Sequence, residues 1–127
     1  MLIAHDDQGL PVEANPNAAN RARCPACKGV VILKGRQESS RKIAHWAHAR
    51  RSPDCDSWSE GMLPWHRDRQ REFEALGCLR EEPIPKNVVL RIADLILDPG
   101  PDQWVIELQH SPIKPDEKIG RASCRER

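Results

Sequence analysis

The chain has 127 residues, enough for one small domain or two very small modules. Its formal net charge is +1, so global charge does not argue for nucleic acid as a partner. No apolar stretch reaches the length of about 18 residues that a membrane-spanning helix needs, and the first residues lack the apolar core of an export signal. Five cysteines without such a signal favour a reducing compartment, where thiols more often bind metals than form disulfides. We therefore expect a cytoplasmic protein with no membrane partner.

Positive charge is concentrated in the N-terminal half of the chain. Residues 21–51 hold nine Lys or Arg residues against one acidic residue, Glu38, whereas the rest of the chain is acidic. This distribution fits a surface for the DNA backbone beside a carboxylate metal site, and we expect DNA contacts from Arg36, Arg41 and Lys42. Ordinary solvated loop charges are the alternative explanation.

Short strands are predicted along the first 50 residues. The start, MLIAHD, is typical of a short strand, and KGVVILKG is typical of a second strand that ends at Gly35. The segment RKIAHWAH is expected to pair with this second strand across a polar loop.

Cysteine and histidine spacing in the same region predicts a structural zinc site. Cys24 and Cys27 are separated by two residues, the spacing that lets both thiolates reach one tetrahedral zinc ion, and His45 and His48 show the same spacing. Bound zinc can contribute ~10 kcal/mol or more of folding free energy to a module this small. Two alternatives remain open: Cys55 replaces one histidine, or the thiols are not ligands and His45 packs beside a tryptophan.

A single helix is predicted in the middle of the chain. Pro64 suits the first turn of a helix that extends to about Leu76, and Gly77 suits its end. On this helix Trp65, Phe73 and Leu76 are expected to form the apolar stripe.

The segments LRIADLIL and QWVIELQ predict two antiparallel strands joined by the turn DPGPDQ. Asp94 lies inside the first segment, and Glu107 and Gln109 lie on one side of the second. Carboxylates are rare in such apolar runs unless they are paired or bind a cation, so the hairpin predicts a site for a hard divalent ion. The alternatives are an ion pair of Asp94 with Arg91 or another cation, and a Glu107 side chain that faces solvent at a sheet edge.

Residues 118–127, KIGRASCRER, match the translation of a common sequencing adapter in one reading frame. We expect that the natural sequence is interrupted at about Lys118, and Cys124 and the basic residues of this segment are left out of the functional argument. A natural basic tail is the alternative.

Across about residues 20–117 the chain resembles the competence protein CoiA-like family. The resemblance rests on CPAC, HWAH, DCDSW, the WH pair of Trp65 and His66, RIADLIL and, most specifically, IELQHSPIKP. It implies a zinc-finger-like N-terminal part joined to a nuclease-like domain of the PD-(D/E)xK restriction-endonuclease superfamily. Such a domain orders a helix, an antiparallel hairpin, a second helix and a strand, of which this chain contains the first half.

The resemblance also implies roles for individual residues. Asp94 matches the metal-binding aspartate, Glu107 the second acidic ligand, and Glu60 an acidic residue that in some members completes the metal shell. Gln109 stands where many members have lysine, and a neutral amide supplies neither positive charge nor a general base. His66 lies near the site.

We therefore predict an α+β (α/β) chain with three parts. Residues 1–57 form a small zinc-ribbon-like β module, residues 58–117 a partial restriction-endonuclease-like helix and antiparallel hairpin core, and residues 118–127 a non-native tail. The expected function is magnesium-dependent hydrolysis of DNA, single-stranded DNA included, by the full-length protein, with this fragment itself inactive. The alternatives are a zinc-containing, non-catalytic DNA-binding or DNA-processing adaptor and a plain zinc-binding structural domain.

Overall fold

The computed structural model describes residues 1–39, 41–50, 55, 63–86, 89–98, 100 and 102–108, and the statements below concern these residues. Their fold is mixed α+β, with two antiparallel sheets and one helix. The predicted fold class is confirmed at this level, whereas the zinc-ribbon-like and restriction-endonuclease-like assignments stay predictions. No helix in the described part of the chain has the length and apolar character needed to cross a membrane.

Five short strands form the N-terminal sheet, in the spatial order β2-β1-β3-β4-β5. Their bounds are Ile3–His5 (β1), Pro11–Glu13 (β2), Arg21–Arg23 (β3), Val30–Lys34 (β4) and His45–His48 (β5). The predicted pairing of KGVVILKG with RKIAHWAH is confirmed, because β4 and β5 are antiparallel neighbours. Gly35 follows β4 with a φ of +71°, where a Cβ atom would lie 2.5 Å from the carbonyl oxygen of Ile43. Only glycine fits this turn without strain.

The core of the N-terminal sheet lies on one of its faces. Side chains alternate along each strand, and Ala22, Val31 and Trp46 are buried on the inner face. Trp46 is 1% exposed, and its indole N–H donates to the carbonyl of Val12 at 3.1 Å. Its main-chain N–H donates to the carbonyl of Met1 at 2.8 Å, so the last strand of the sheet returns to the beginning of the first.

The single described helix, α1 (Pro64–Ala75), begins at the predicted proline and is followed by Gly77 with a φ of +97°. The apolar stripe was predicted wrongly at one position, because Leu76 is 75% exposed. The buried residue of α1 is instead a polar one, Gln70. This helix therefore packs partly through hydrogen bonds, which a hydrophobic pattern does not reveal.

The C-terminal sheet contains β6 (Leu79–Lys86), β7 (Val89–Leu97) and β8 (Trp104–Ile106), with β7 in the centre. The predicted hairpin is confirmed, since β7 and β8 pair antiparallel from Leu97↔Trp104 to Leu95↔Ile106. Strand β6 was not predicted, because two prolines made its sequence, LREEPIPK, resemble a connector. Proline is tolerated on an edge strand, where the missing N–H need not bond a neighbour, and β6 lies at the edge of this sheet.

Buried charges connect the two sheets. The carboxylate of Glu81 on β6 accepts hydrogen bonds from the main-chain N–H groups of Leu2 and Ile3 at 2.6–2.7 Å. Arg80, whose side chain is only 3% exposed, forms an ion pair with Glu13 on β2 at 2.9 Å. The predicted boundary at residue 57 lies outside the described residues and stays a prediction, as does the assignment of residues 118–127.

Candidate functional site

Three cysteines and one histidine form a group that can hold a metal ion. The ligand atoms of Cys24, Cys27, His48 and Cys55 all lie within 4.8 Å of one another. Cys24 and Cys55 are buried, and Cys27 and His48 are partly buried. The predicted ability of this module to bind structural zinc is supported by this arrangement.

The distances within the group fit tetrahedral zinc. Zinc–sulfur bonds of about 2.3 Å at tetrahedral angles place two sulfurs about 3.8 Å apart, and a sulfur and a nitrogen about 3.6 Å apart. In the structure the Sγ atoms of Cys24 and Cys55 are 3.7 Å apart, and Cys27 Sγ lies 3.3 Å from His48 Nε2. Three thiolates and one imidazole are a common ligand set for structural zinc. The chain therefore supplies a nearly preformed four-ligand site.

The turn between Cys24 and Gly29 positions the first two ligands. The N–H of Cys24 donates to the carbonyl of Gly29 at 2.9 Å, and the N–H of Lys28 donates to the carbonyl of Cys24 at 3.0 Å. Lys28 has a φ of +61°, which reverses the chain directly after Cys27. The N–H of Gly29 donates to Cys27 Sγ at 3.4 Å, which holds this sulfur beside the turn.

Burial makes the thiols of Cys24 and Cys55 reluctant to ionise in the absence of a cation. It raises the pKa of Cys24, although the main-chain N–H groups of Cys27 and Ala26 oppose the shift. Burial, followed by the charge of Cys24, raises the pKa of Cys55 to about 12. A divalent cation between the four ligands reverses this preference, because thiolates bind it directly.

The group contains Cys55 in the place of His45, which was predicted as a zinc ligand. His45 and His48 are three residues apart on β5, and because side chains alternate along a strand they lie on opposite faces of the sheet. His48 shares the inner face with Trp46, whereas the Nδ1 atom of His45 lies 2.9 Å from the carbonyl oxygen of Ile43. Burial lowers the pKa of His45, which favours a neutral ring donating Nδ1–H to that carbonyl. The structure therefore brings together the alternative set that the sequence left open, in which Cys55 replaces one histidine.

Asp94 lies at the centre of β7 with its side chain 17% exposed. Its Oδ1 atom is 3.1 Å from Nε2 of His66 on α1, and its Oδ2 atom accepts the main-chain N–H of Leu108 at 2.7 Å. The structure therefore brings together two of the predicted site residues, Asp94 and His66. The alternative partner Arg91 precedes Asp94 by three residues on the same strand, so it lies on the opposite face of the sheet.

Glu107 follows β8 directly and is exposed. If the register Leu95↔Ile106 is continued by one residue, Glu107 stands opposite Asp94, and opposite residues of an antiparallel pair share one face. Gln109 and Glu60 lie outside the described residues. Among the described residues, Asp94 does not belong to a group of three or more His, Cys, Asp or Glu side chains that could hold a metal ion. The magnesium site therefore stays a prediction.

Sequence reasoning missed a buried polar cluster next to Asp94, composed of His66, Gln70, Arg80 and Glu81. Arg80 Nε donates to Oε1 of Gln70 at 3.3 Å, and Gln70 Nε2 donates to Oε1 of Glu81 at 3.3 Å, which together fix the orientation of the Gln70 amide. The same Nε2 lies 3.2 Å from Nε2 of His66. One ring nitrogen cannot accept from Gln70 and donate to Asp94 at the same time, so these two bonds of His66 are alternatives. No sequence signal identifies this cluster, because its members come from separate segments.

Comparison of the chain with protein-family models, curated proteins and solved structures finds no match.

Proposed function

We propose that this chain is part of a CoiA-like DNA-processing protein, in which a zinc-stabilised N-terminal module accompanies a nuclease-like unit of the PD-(D/E)xK type. The observation that carries the proposal is the position of Asp94. A carboxylate that is 17% exposed in the central strand of a three-stranded sheet is costly unless it is paired or holds a cation. The order of α1 followed by the antiparallel strands β6, β7 and β8 is compatible with the start of such a domain.

In this proposal Asp94 and Glu107 hold the cation, since two carboxylates and water suit magnesium. The bound ion supplies polarisation of the phosphodiester and activation of water. The N–H of Leu108 fixes Oδ2 of Asp94, and Nε2 of His66 lies 3.1 Å from Oδ1. When Nε2 of His66 carries the proton it donates to Oδ1; when the proton is on Nδ1, Nε2 accepts from Nε2 of Gln70 and Oδ1 is left for the cation.

The test is DNA cleavage with and without magnesium, using the product of the uninterrupted source gene alongside the 127-residue chain. Asp94→Asn and Glu107→Gln are each expected to lower the rate of the full product by about two orders of magnitude, the typical cost of losing one well-placed charged group. Asp98→Asn is the matched control, because Asp98 is exposed on the same segment and its φ of +51° suits asparagine. The nuclease proposal fails if the full product does not cleave DNA with magnesium, or if both site variants cleave as well as the control.

A non-catalytic DNA-binding adaptor is the second candidate. It is favoured by the bonding of Asp94, since both carboxylate oxygens already have partners within the protein. A carboxylate satisfied in this way stabilises the fold without any cation. The adaptor predicts DNA binding that survives Asp94→Asn and Glu107→Gln, with no cleavage by any variant.

A further inference from the structure

The outer face of the N-terminal sheet carries a row of basic side chains on the side opposite the metal group. Arg21 and Arg23 are two residues apart on β3, and the residue between them, Ala22, points into the core. Arg21 pairs with Ile32 on β4, and Lys34 lies two residues further along that strand, on the same face. We call Arg21, Arg23 and Lys34 the basic face, and we propose that it binds single-stranded DNA through the phosphodiester backbone.

The side chains of the basic face are available to a ligand. All three residues are exposed, and within the described residues Arg21 and Lys34 have no side-chain hydrogen bond or ion pair. Arg23 meets Asp7 at 3.8 Å, but its side chain is 49% and that of Asp7 95% exposed, so this contact contributes little and can open. The other acid on this face, Glu13, is already paired with Arg80 and Arg71.

Arg36, where the sequence predicted a DNA contact, is not included in the basic face because its side chain is bonded within the protein. The guanidinium group of Arg36 donates to the carbonyls of Pro16 and Ala18 and to the side chain of Asn20. These bonds tie the loop before β3 to the end of β4 and leave Arg36 with a structural role. Sequence alone does not separate such a residue from a free one, because both count equally in the charge of residues 21–51.

The apolar surface between the cations favours a single strand over a duplex. Between the cations the face presents apolar side chains, with Val30 36% exposed and Ile32 and Ala47 partly buried. A duplex keeps its base faces stacked inside the helix, whereas a single strand can place phosphates on the cations and base faces on the apolar surface. The local potential is positive: besides burial, the N-terminal ammonium group, Lys42 and Lys34 lower the pKa of His45.

The test measures binding of a fluorescently labelled single-stranded oligonucleotide to the full chain at several salt concentrations. The triple variant Arg21→Gln, Arg23→Gln, Lys34→Gln is expected to bind at least about tenfold more weakly at low salt. It is also expected to flatten the slope of log K against log salt by about 2, since each lost phosphate contact removes about 0.7. The matched control is Arg69→Gln, which removes an exposed arginine from α1, where Arg69 pairs with Glu72 at 2.6 Å. This control is expected to bind like the unmodified chain.

Several outcomes overturn the inference: no salt-dependent binding by the unmodified chain, an unchanged slope in the triple variant, or an equal loss in the Arg69→Gln control. Preference for a duplex competitor overturns the single-strand part. Zinc content and the circular dichroism spectrum report folding, and the single variants Arg21→Gln and Lys34→Gln, each expected to lower the slope by about 0.7, replace the triple variant if it does not fold.

The inference rests on the proposed function only in its choice of DNA as the polyanion. Its failure is distinguishable from failure of the nuclease proposal, because salt-dependent binding and magnesium-dependent cleavage are separate measurements. Binding without cleavage leaves the inference intact and removes the nuclease. Cleavage together with an unchanged salt slope in the triple variant overturns the inference and leaves the nuclease proposal intact.

Discussion

The carboxylate of Glu81 accepts the main-chain N–H of Leu2 with both oxygens, at 2.7 and 2.6 Å, across 79 residues of sequence. Glu81 is 4% exposed and has a φ of +50°, an uncommon conformation for a residue other than glycine. It also accepts from Ile3 and Gln70, so its oxygens receive donors from β1 and from α1. This one side chain joins the start of the zinc module to the cluster beside Asp94.

Replacing Glu81 by glutamine is expected to destabilise the protein by about 1–3 kcal/mol. The new amide directs N–H groups at main-chain donors, so at least one of them loses its acceptor while buried. Urea denaturation measures the change in the free energy of unfolding. The control is Glu72→Gln, whose surface ion pair with Arg69 is expected to contribute no more than about 1 kcal/mol. Equal midpoints for the two variants would mean that the bonds of Glu81 add no stability.

Cys55→Ser is expected to reduce zinc from about one ion per chain to well below one, because a hydroxyl is a far weaker zinc ligand than a thiolate. His45→Gln is expected to retain the metal, since His45 faces away from the site. Elemental analysis of the purified proteins measures both. Cys78→Ser is the matched control, because Cys78 is a buried free cysteine outside the group. Zinc loss in His45→Gln with retention in Cys55→Ser would restore the ligand set first predicted.

Removal of zinc by a strong chelator is expected to unfold the N-terminal sheet, because few large side chains form its core and metal binding supplies folding free energy. Trp46 reports this event, since its indole is 1% exposed in the folded state. The expected signal is a red shift of tryptophan fluorescence that reverses when zinc is added back. An unchanged spectrum in a chain shown to be free of zinc would contradict a structural role for the metal.

The pair Glu13–Arg80 is expected to make stability depend on pH in the acid range. Burial opposes ionisation of Glu13, but Arg80 and Arg71 outweigh it and hold the pKa of Glu13 below its ordinary value. A depressed folded pKa means that the stabilisation is complete above the ordinary glutamate value of about 4.3 and is lost as pH falls through the lower folded value. Melting temperatures measured at several pH values, from about 6 downward through the ordinary glutamate value of about 4.3, measure the effect. Glu13→Gln should lose less stability over that range than the unmodified chain, and parallel curves would count against the linkage.

The helix and the strands β1, β4, β5, β7 and β8 could be predicted from local pattern, whereas β2, β3 and β6 were not predicted. The pairing of β4 with β5, the start of α1 at Pro64 and the hairpin of β7 and β8 each follow from short runs of apolar residues and from turn residues. Strand β6 escaped prediction because its prolines are tolerated only at a sheet edge, and which strand lies at an edge is a property of the assembled sheet.

Sequence by itself determined the types of ligand and their approximate place: a cysteine pair at Cys24 and Cys27, histidines on a strand, and an aspartate inside an apolar run. Only the tertiary structure decided which of them meet. The face of β5 on which each histidine lies selects His48 and excludes His45, and chain return brings Cys55 to within 3.7 Å of Cys24. The tertiary structure also engages the Arg36 side chain in hydrogen bonds to the loop before β3. The exposed side chain of Arg21 has no hydrogen bond or ion pair within the described residues. Residue type and spacing are local properties, whereas convergence of side chains depends on strand direction and sheet order, which long-range contacts establish.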